Sequence, residues 1–220
     1  MIDMRMLEQR EQVVRYARLL IERGLTRGTG GNISVRQDEL VAITPSGIAY
    51  ESMTAEDIVV VDLAGRVVEG ALRPSSECGM HLACYRTERA FGAVVHTHSA
   101  FATTLACMQR ELPPIHYLIG YAGGTVPCIP YYPFGSDELA EAAAAGMAGR
   151  NAVLLGNHGL LAAGADLDYA FSVAEETEFV AELYYRTELL GGGRMLCDAD
   201  MEEALRRFTV YGQKQRAAKS

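Results

Sequence analysis

The chain has 220 residues, 49% apolar and 22% charged, enough for one soluble domain with a full core. A net charge of −8 argues against nonspecific binding to nucleic acid or an anionic membrane surface, and no run approaches the ~18 apolar residues of a membrane span. The N-terminus, MIDMRMLEQREQ, is charged and lacks a signal-peptide pattern, and five cysteines without a Cys-x-x-Cys predict reduced thiols in a cytoplasmic protein.

The spacing of Leu7, Val14, Ala17 and Ile21 predicts an amphipathic helix over residues 4–23, stopped at Gly24. The glycine-rich Gly28-Thr29-Gly30-Gly31-Asn32 follows, then a hairpin of Ile33–Arg36 and Leu40–Ile43 and a turn at Thr44-Pro45-Ser46-Gly47. A short helix is expected from Thr54, and a second hairpin pairs Ile58–Asp62 with Arg66–Glu69. Pro74-Ser75-Ser76-Glu77 opens a helix, and Gly92 to His98 is a short apolar strand. Beyond it come a helix over 100–108, a Pro/Gly-rich loop over 112–135 and an alanine-rich helix over 137–149 capped by Ser136. Strands at 152–155 and 160–163 flank the turn Asn157-His158-Gly159, and helices span 168–190 and 200–211. No linker or repeat divides residues 1–212, which form a single domain, with 213–220 as a disordered basic tail. Strands interleaved with helices, together with the hairpins, predict an α/β layered fold with a mixed sheet.

The chemistry-bearing residues cluster at predicted strand ends. His96 and His98 alternate with Thr97, so both imidazoles point to one side. Such a pair is by itself as compatible with a structural role as with metal binding. His158, at another strand end, adds a third candidate ligand, and three histidines without thiolates match an open catalytic metal site. His81, one helical turn past Glu77, is either a support for a ligand or a packed surface residue, and His116 is a weaker candidate. Glu77 at a helix start is either a cap, a further ligand or a general base.

Gly28-Thr29-Gly30-Gly31-Asn32 lacks the spacing of a dinucleotide fingerprint and the lysine of a P-loop. Alone it is a loop. Joined to Ser46-Gly47 and Ser75-Ser76 it makes a three-segment anion cradle. The only lysines are Lys214 and Lys219, close to the C-terminal end, which argues against Schiff-base chemistry.

The ordered set GTGGNISVR, TPSG, RPSSE, VVHTHS, HYLIGYAGG and GNHGLL resembles the class II aldolase and adducin family from about Gly24 to Tyr211. The resemblance implies a three-layer α/β/α subunit with a mixed, mostly antiparallel central sheet, assembled as a homotetramer with active sites between subunits. It implies one Zn2+ per subunit, held by His96, His98, His158 and, in the empty site, Glu77. Other divalent ions remain open to an imidazole site. Glu77 then exchanges a proton with the substrate. Gly31, Asn32, Ser46, Gly47, Ser75 and Ser76 correspond to phosphate-binding positions, and Tyr117 to a tyrosine that handles the aldehyde proton. Phe134 and Tyr211 correspond to the aldehyde side, with Tyr117 and Tyr211 supplied by the adjacent subunit.

The implied activity is reversible cleavage of a ketose 1-phosphate to dihydroxyacetone phosphate and an aldehyde. Its substrate is L-fuculose 1-phosphate or a related 5-deoxy- or 5-methylthio-pentulose 1-phosphate. Tyr121, Tyr131, Tyr132 and Phe134 are the expected wall around the aldehyde. Competing family reactions are dehydration of methylthioribulose 1-phosphate, decarboxylation of a sugar-acid phosphate and 4-epimerisation of a pentulose 5-phosphate. Epimerases of the family carry Asp where Glu77 stands and need a further acid, whereas residues 112 to 136 contain no Asp or Glu. A metal-free, adducin-like scaffold ranks last, because all three histidines are present.

Overall fold

Most strands of this chain are apolar on both faces, so a stable arrangement must cover both. In the computed structural model, which describes residues 4–208, one eight-stranded sheet lies between two helical layers. The elements are α1 (Leu7–Glu22), β1 (Asn32–Gln37), β2 (Leu40–Ile43), β3 (Val59–Asp62), β4 (Val67–Glu69), α2 (Cys78–Thr87), β5 (Ala93–Thr97) and α3 (Ala100–Cys107). After these come a 3-10 helix (Tyr117–Ala122), β6 (Cys128–Ile129), α4 (Asp137–Gly146), β7 (Ala152–Leu155), β8 (Gly159–Gly164), α5 (Leu167–Leu189) and α6 (Asp198–Phe208). The strand order is β4-β3-β2-β1-β5-β8-β7-β6, antiparallel throughout except for the parallel pair β6 and β7. None of the described helices is long and apolar enough to cross a membrane.

Alternation within the strands divides the core. Ile33, Val35, Val95 and Ala162 face α1, α3 and α5, while Val41, Val61, Val94 and Val153 face α2 and α4. This is the expected three-layer arrangement with a mostly antiparallel sheet. At the centre of the sheet β1 and β8 flank β5, and their register sets Asn32 and Leu161 beside His96.

Three expectations need correction. Thr54–Asp57 is a turn, because the Asp57 carboxylate accepts from both the backbone N–H (2.8 Å) and the hydroxyl (3.0 Å) of Thr54 and closes the segment on itself. Residues 112–135 hold the 3-10 helix and β6, whose two residues, bracketed by Pro127 and Pro130, are too few to show a period. The last helix begins at Asp198; its expected end at Tyr211, and the tail 213–220, lie outside the described residues.

Arg10 ties the first layer together. Its buried guanidinium donates to the carbonyls of Arg5, Ala55 and Ile58 and to Glu69 Oε1 (2.8 Å), anchoring α1 to the segment before β3 and to edge strand β4. Arg10→Met leaves those acceptors unpaired and is expected to lower unfolding free energy by about 2–4 kcal/mol in a urea titration. An unchanged midpoint would contradict that role.

Candidate active site

Three local features bring the histidines together. β5 carries His96 onto the face toward α2, and His98 stands just beyond the strand. The turn Gly156-Asn157-His158-Gly159 joins β7 to β8, with Asn157 in the left-handed region at φ 55°. A Cβ on Gly159 would collide with the Thr97 carbonyl, so glycine lets this turn close against the end of β5. On the opposite side the Glu178 carboxylate of α5 accepts from Phe101 N and Ala102 N, both at 2.8 Å, capping α3 just after His98.

The ring centroids stand 4.8 Å apart for His96 and His98, 4.8 Å for His96 and His158, and 5.2 Å for His98 and His158. One nitrogen from each ring lies within 4.8 Å of the other two. His96 donates from Nδ1 to the Leu160 carbonyl at 2.9 Å, so its Nε2 lone pair turns into the cluster, 3.0 Å from His98 Nε2. Burial, then the neighbouring imidazoles, holds His96 well below the ordinary histidine pKa; burial and His158 lower His98 in the same way. The Glu77 carboxylate closes the group, with Oε2 3.3 Å from His96 Nε2 and Oε1 3.3 Å from His158 Nε2. Oε1 is buried and makes no hydrogen bond. Three imidazoles directed at one another beside an orphaned carboxylate oxygen form a donor set suited to a divalent cation.

Glu77 occupies the N-cap position of α2 but does not cap it; its side chain turns toward the histidines. A cleft of about 360 Å³ opens beside it. Gly31, Asn32, Ser46, Gly47, Ser75 and Ser76 all line this cleft, together with Glu77, His98, His158 and Phe134. Two turns distant in sequence meet because Ser46 N donates to Arg73 O (3.1 Å) and Ser75 N to Thr44 O (3.0 Å). The Tyr50 hydroxyl donates to the carbonyls of Gly31 (2.6 Å) and Gly30 (3.1 Å), pinning the glycine-rich loop. Burial, and then the Glu77 charge, push that phenol well above its usual pKa. Gly31 has φ 71°, and a Cβ there would sit 2.7 Å from the His96 carbonyl oxygen. No described Lys or Arg lines the cleft, so an anion in it meets hydroxyls, backbone amides and the N-terminal end of α2.

Not every expected residue is there. Of the proposed aromatic wall, Tyr131 and Phe134 line the cleft, while Tyr132 packs into the core between the sheet and α2 and α4. Tyr121 packs on Tyr169 and Phe208 instead. Tyr117 is absent from the cleft lining; half-exposed, it stacks with Phe208 (centroids 6.0 Å apart) in a separate groove against α6. His116 caps the 3-10 helix, and Tyr211 lies outside the described residues. Thr29 lines the cleft as part of the expected glycine-rich segment, and Asn157 lines it unforeseen from the sequence, although an Asn ahead of His-Gly is itself a left-handed turn signal. His81 is fully buried, not a surface residue, and burial and nearby His96 push its pKa down to about 3.

Residues 11–185 match the family model described as class II aldolase and adducin N-terminal domain. The chain belongs to the class II aldolase and adducin family. It is 48% identical over 209 residues to 5-deoxy-D-ribulose 1-phosphate aldolase of Bacillus thuringiensis serovar kurstaki, covering 94% of this chain and 98% of that protein. It is 40% identical to a 5-methylthioribulose-1-phosphate/5-deoxyribulose-1-phosphate aldolase of Escherichia coli O45:K1, covering 93% of this chain and 96% of the other. A solved L-fuculose 1-phosphate aldolase superposes with a TM-score of 0.90 at 43% identity, over 92% of this chain and 96% of that structure. The protein is thus an enzyme, a class II aldolase of the metal-dependent kind, and its three-histidine group is able to hold a metal.

The lowered histidines make the metal-free protein sensitive to acid. His81 has a folded pKa of about 3 against 6.5 when unperturbed, so between these values the unfolded chain binds the extra proton. That contribution to stability is complete above 6.5 and is lost as pH falls toward 3; His96 and His98, also lowered, act with the same sign. Urea midpoints of the metal-free protein should therefore fall across this window, and fall less steeply in His81→Gln. An identical slope in the variant would contradict the assignment.

Proposed function

We propose that this enzyme cleaves a ketose 1-phosphate reversibly to dihydroxyacetone phosphate and an aldehyde, with one Zn2+ per subunit, as a cytoplasmic homotetramer. The observation that carries the reading is the convergence of His96, His98, His158 and Glu77 beside a cleft lined by three hydroxyl- and glycine-rich segments. A divalent cation held by the histidines supplies a Lewis acid that stabilises negative charge on the ketose fragment. Zinc is favoured by an all-imidazole set beside a carboxylate, with no thiolate.

In the proposed reaction the Gly31, Ser46–Gly47 and Ser75–Ser76 segments orient the phosphate through neutral donors. A tyrosine, Tyr117 of a neighbouring subunit, takes the proton of the C4 hydroxyl. The C3–C4 bonding pair moves onto the ketose fragment as C4 becomes an aldehyde carbon. Glu77, having taken up a proton in the substrate-bound site, delivers it to C3 to complete dihydroxyacetone phosphate, and the proton left on Tyr117 replaces it through solvent, so the site ends as it began. The placement of Tyr117 in a groove apart from the histidines of its own chain supports a shared site.

The names of the two relatives favour 5-deoxy- and 5-methylthio-pentulose 1-phosphates, with L-fuculose 1-phosphate next. Exposed Tyr131 and Phe134 on the cleft suit an aldehyde ending in a methyl or thioether. A comparative assay of dihydroxyacetone phosphate release from these substrates, with a chelator control, tests the function; no release from any of them, or release indifferent to chelation, would sink it. Glu77→Gln is expected to keep its metal and lose at least about 100-fold in cleavage, the scale of general acid–base catalysis. Near-normal turnover would remove Glu77 from its role.

Subunit mixing tests the shared site. His96→Ala and Tyr117→Phe subunits should each be nearly inactive alone. Co-assembled in equal amounts, about a quarter of sites would draw an intact His96 and an intact Tyr117 from different subunits. No recovery of activity would place both residues in one chain's site.

A further inference from the structure

A continuous buried chain of hydrogen bonds runs from the core to the back of Glu77. On β1, Asn32 and Ser34 stand two apart and face the α2 layer. On α2, Glu77, His81 and Tyr85 stand four apart along the surface that meets them. Asn32 Nδ2 donates to Glu77 Oε2 at 2.9 Å, and Asn32 Oδ1 lies 2.5 Å from His81 Nε2. His81 Nδ1 lies 2.7 Å from Ser34 Oγ, which lies 2.7 Å from the Tyr85 hydroxyl. None of the five residues is more than 6% exposed.

The polarity of the chain is set by its end. A carboxylate oxygen only accepts, so the Asn32 amide must turn its NH2 to Glu77 and its carbonyl to His81. His81 then donates from Nε2 and accepts at Nδ1, Ser34 donates to it, and Tyr85 donates to Ser34. Each donor points toward Glu77.

We infer that His81 is a positioning residue for Glu77: through Asn32 it commits Oε2 to a hydrogen bond and leaves Oε1 as the oxygen that exchanges the proton. Glu77 Oε1 is the buried oxygen without a hydrogen bond, beside His158. Burial keeps the His81 imidazole neutral, in the one tautomer this chain allows. The inference rests on the reading of Glu77 as the acid–base group.

The test compares His81→Phe, which cuts the chain, with His81→Gln, which still donates to Asn32. Cleavage of 5-deoxyribulose 1-phosphate, bound metal per chain and thermal midpoint are measured for each. His81→Phe is expected to lower kcat about 10–100-fold with little change in KM or metal content, and His81→Gln to recover most of that loss. Combined with Glu77→Gln, His81→Phe should add no further loss, since the two act as one unit. Independently of turnover, ring-nitrogen NMR of the metal-free protein should show His81 neutral with its proton on Nε2; a proton on Nδ1 overturns the inference. Wild-type kcat in His81→Phe, or equal losses in both variants that track the folded fraction, also overturns it. Should His81→Phe fail to fold, Ser34→Ala and Tyr85→Phe cut the same chain, and unchanged kcat in both is decisive against it. An inactive Glu77→Gln beside active chain-cutting variants removes only the positioning role. A fully active Glu77→Gln removes the acid–base reading and this inference together.

Discussion

The meeting of three imidazoles and a carboxylate at the end of β5 is the constraint around which this protein is built. Three imidazoles stand around one point with a carboxylate against two of them, and burial holds His96 and His98 below the ordinary histidine pKa, so the group offers a ready seat for a positive ion. The surrounding structure resists their separation. The Leu160 carbonyl fixes the proton of His96, the closely packed Gly159 turn brings His158 in, and Glu178 from α5 anchors the chain just beyond His98. These restraints come from the centre of the sheet and its covering helix, where side chains have least freedom to relax.

The anion side solves a different problem. With no described Lys or Arg lining the cleft of an acidic chain, a phosphate bound there would be recognised by geometry rather than by net charge. Gly31 can approach the β5 backbone because it has no Cβ, and Tyr50 holds its carbonyl from behind. The two serine-bearing turns are joined by backbone hydrogen bonds. Preformed neutral donors lose little entropy on binding and favour a ligand of matching shape, an arrangement suited to a small metabolite.

Residues at strand ends are the easiest to find in the sequence. His96 and His98 stand out because polar rings interrupt an apolar alternation, and His158 because it lies in a glycine-flanked turn after another apolar run. Ser34 and His81 are not legible in the same way. A serine in a hydrophobic strand and a histidine in a helix acquire meaning only when β1 and α2 are known to meet, a tertiary fact with no local signature. The two residues of β6 carry too little pattern to announce a strand, and the Thr54 turn reads as a helix start because capping residues also close isolated turns. Only Tyr131 and Phe134 of the expected aromatic wall line the cleft within one chain, for a related reason. Neighbouring tyrosines 131 and 132 point to opposite surroundings, and composition alone cannot say which is outward.

The central strands also impose an order of events. β5 joins β8 across more than sixty residues of intervening chain, so His158 reaches His96 only after that long loop has closed. A nascent polypeptide emerging from the ribosome carries the first two imidazoles well before the third. A metal that needs all three imidazoles would therefore be held only after the central sheet has closed.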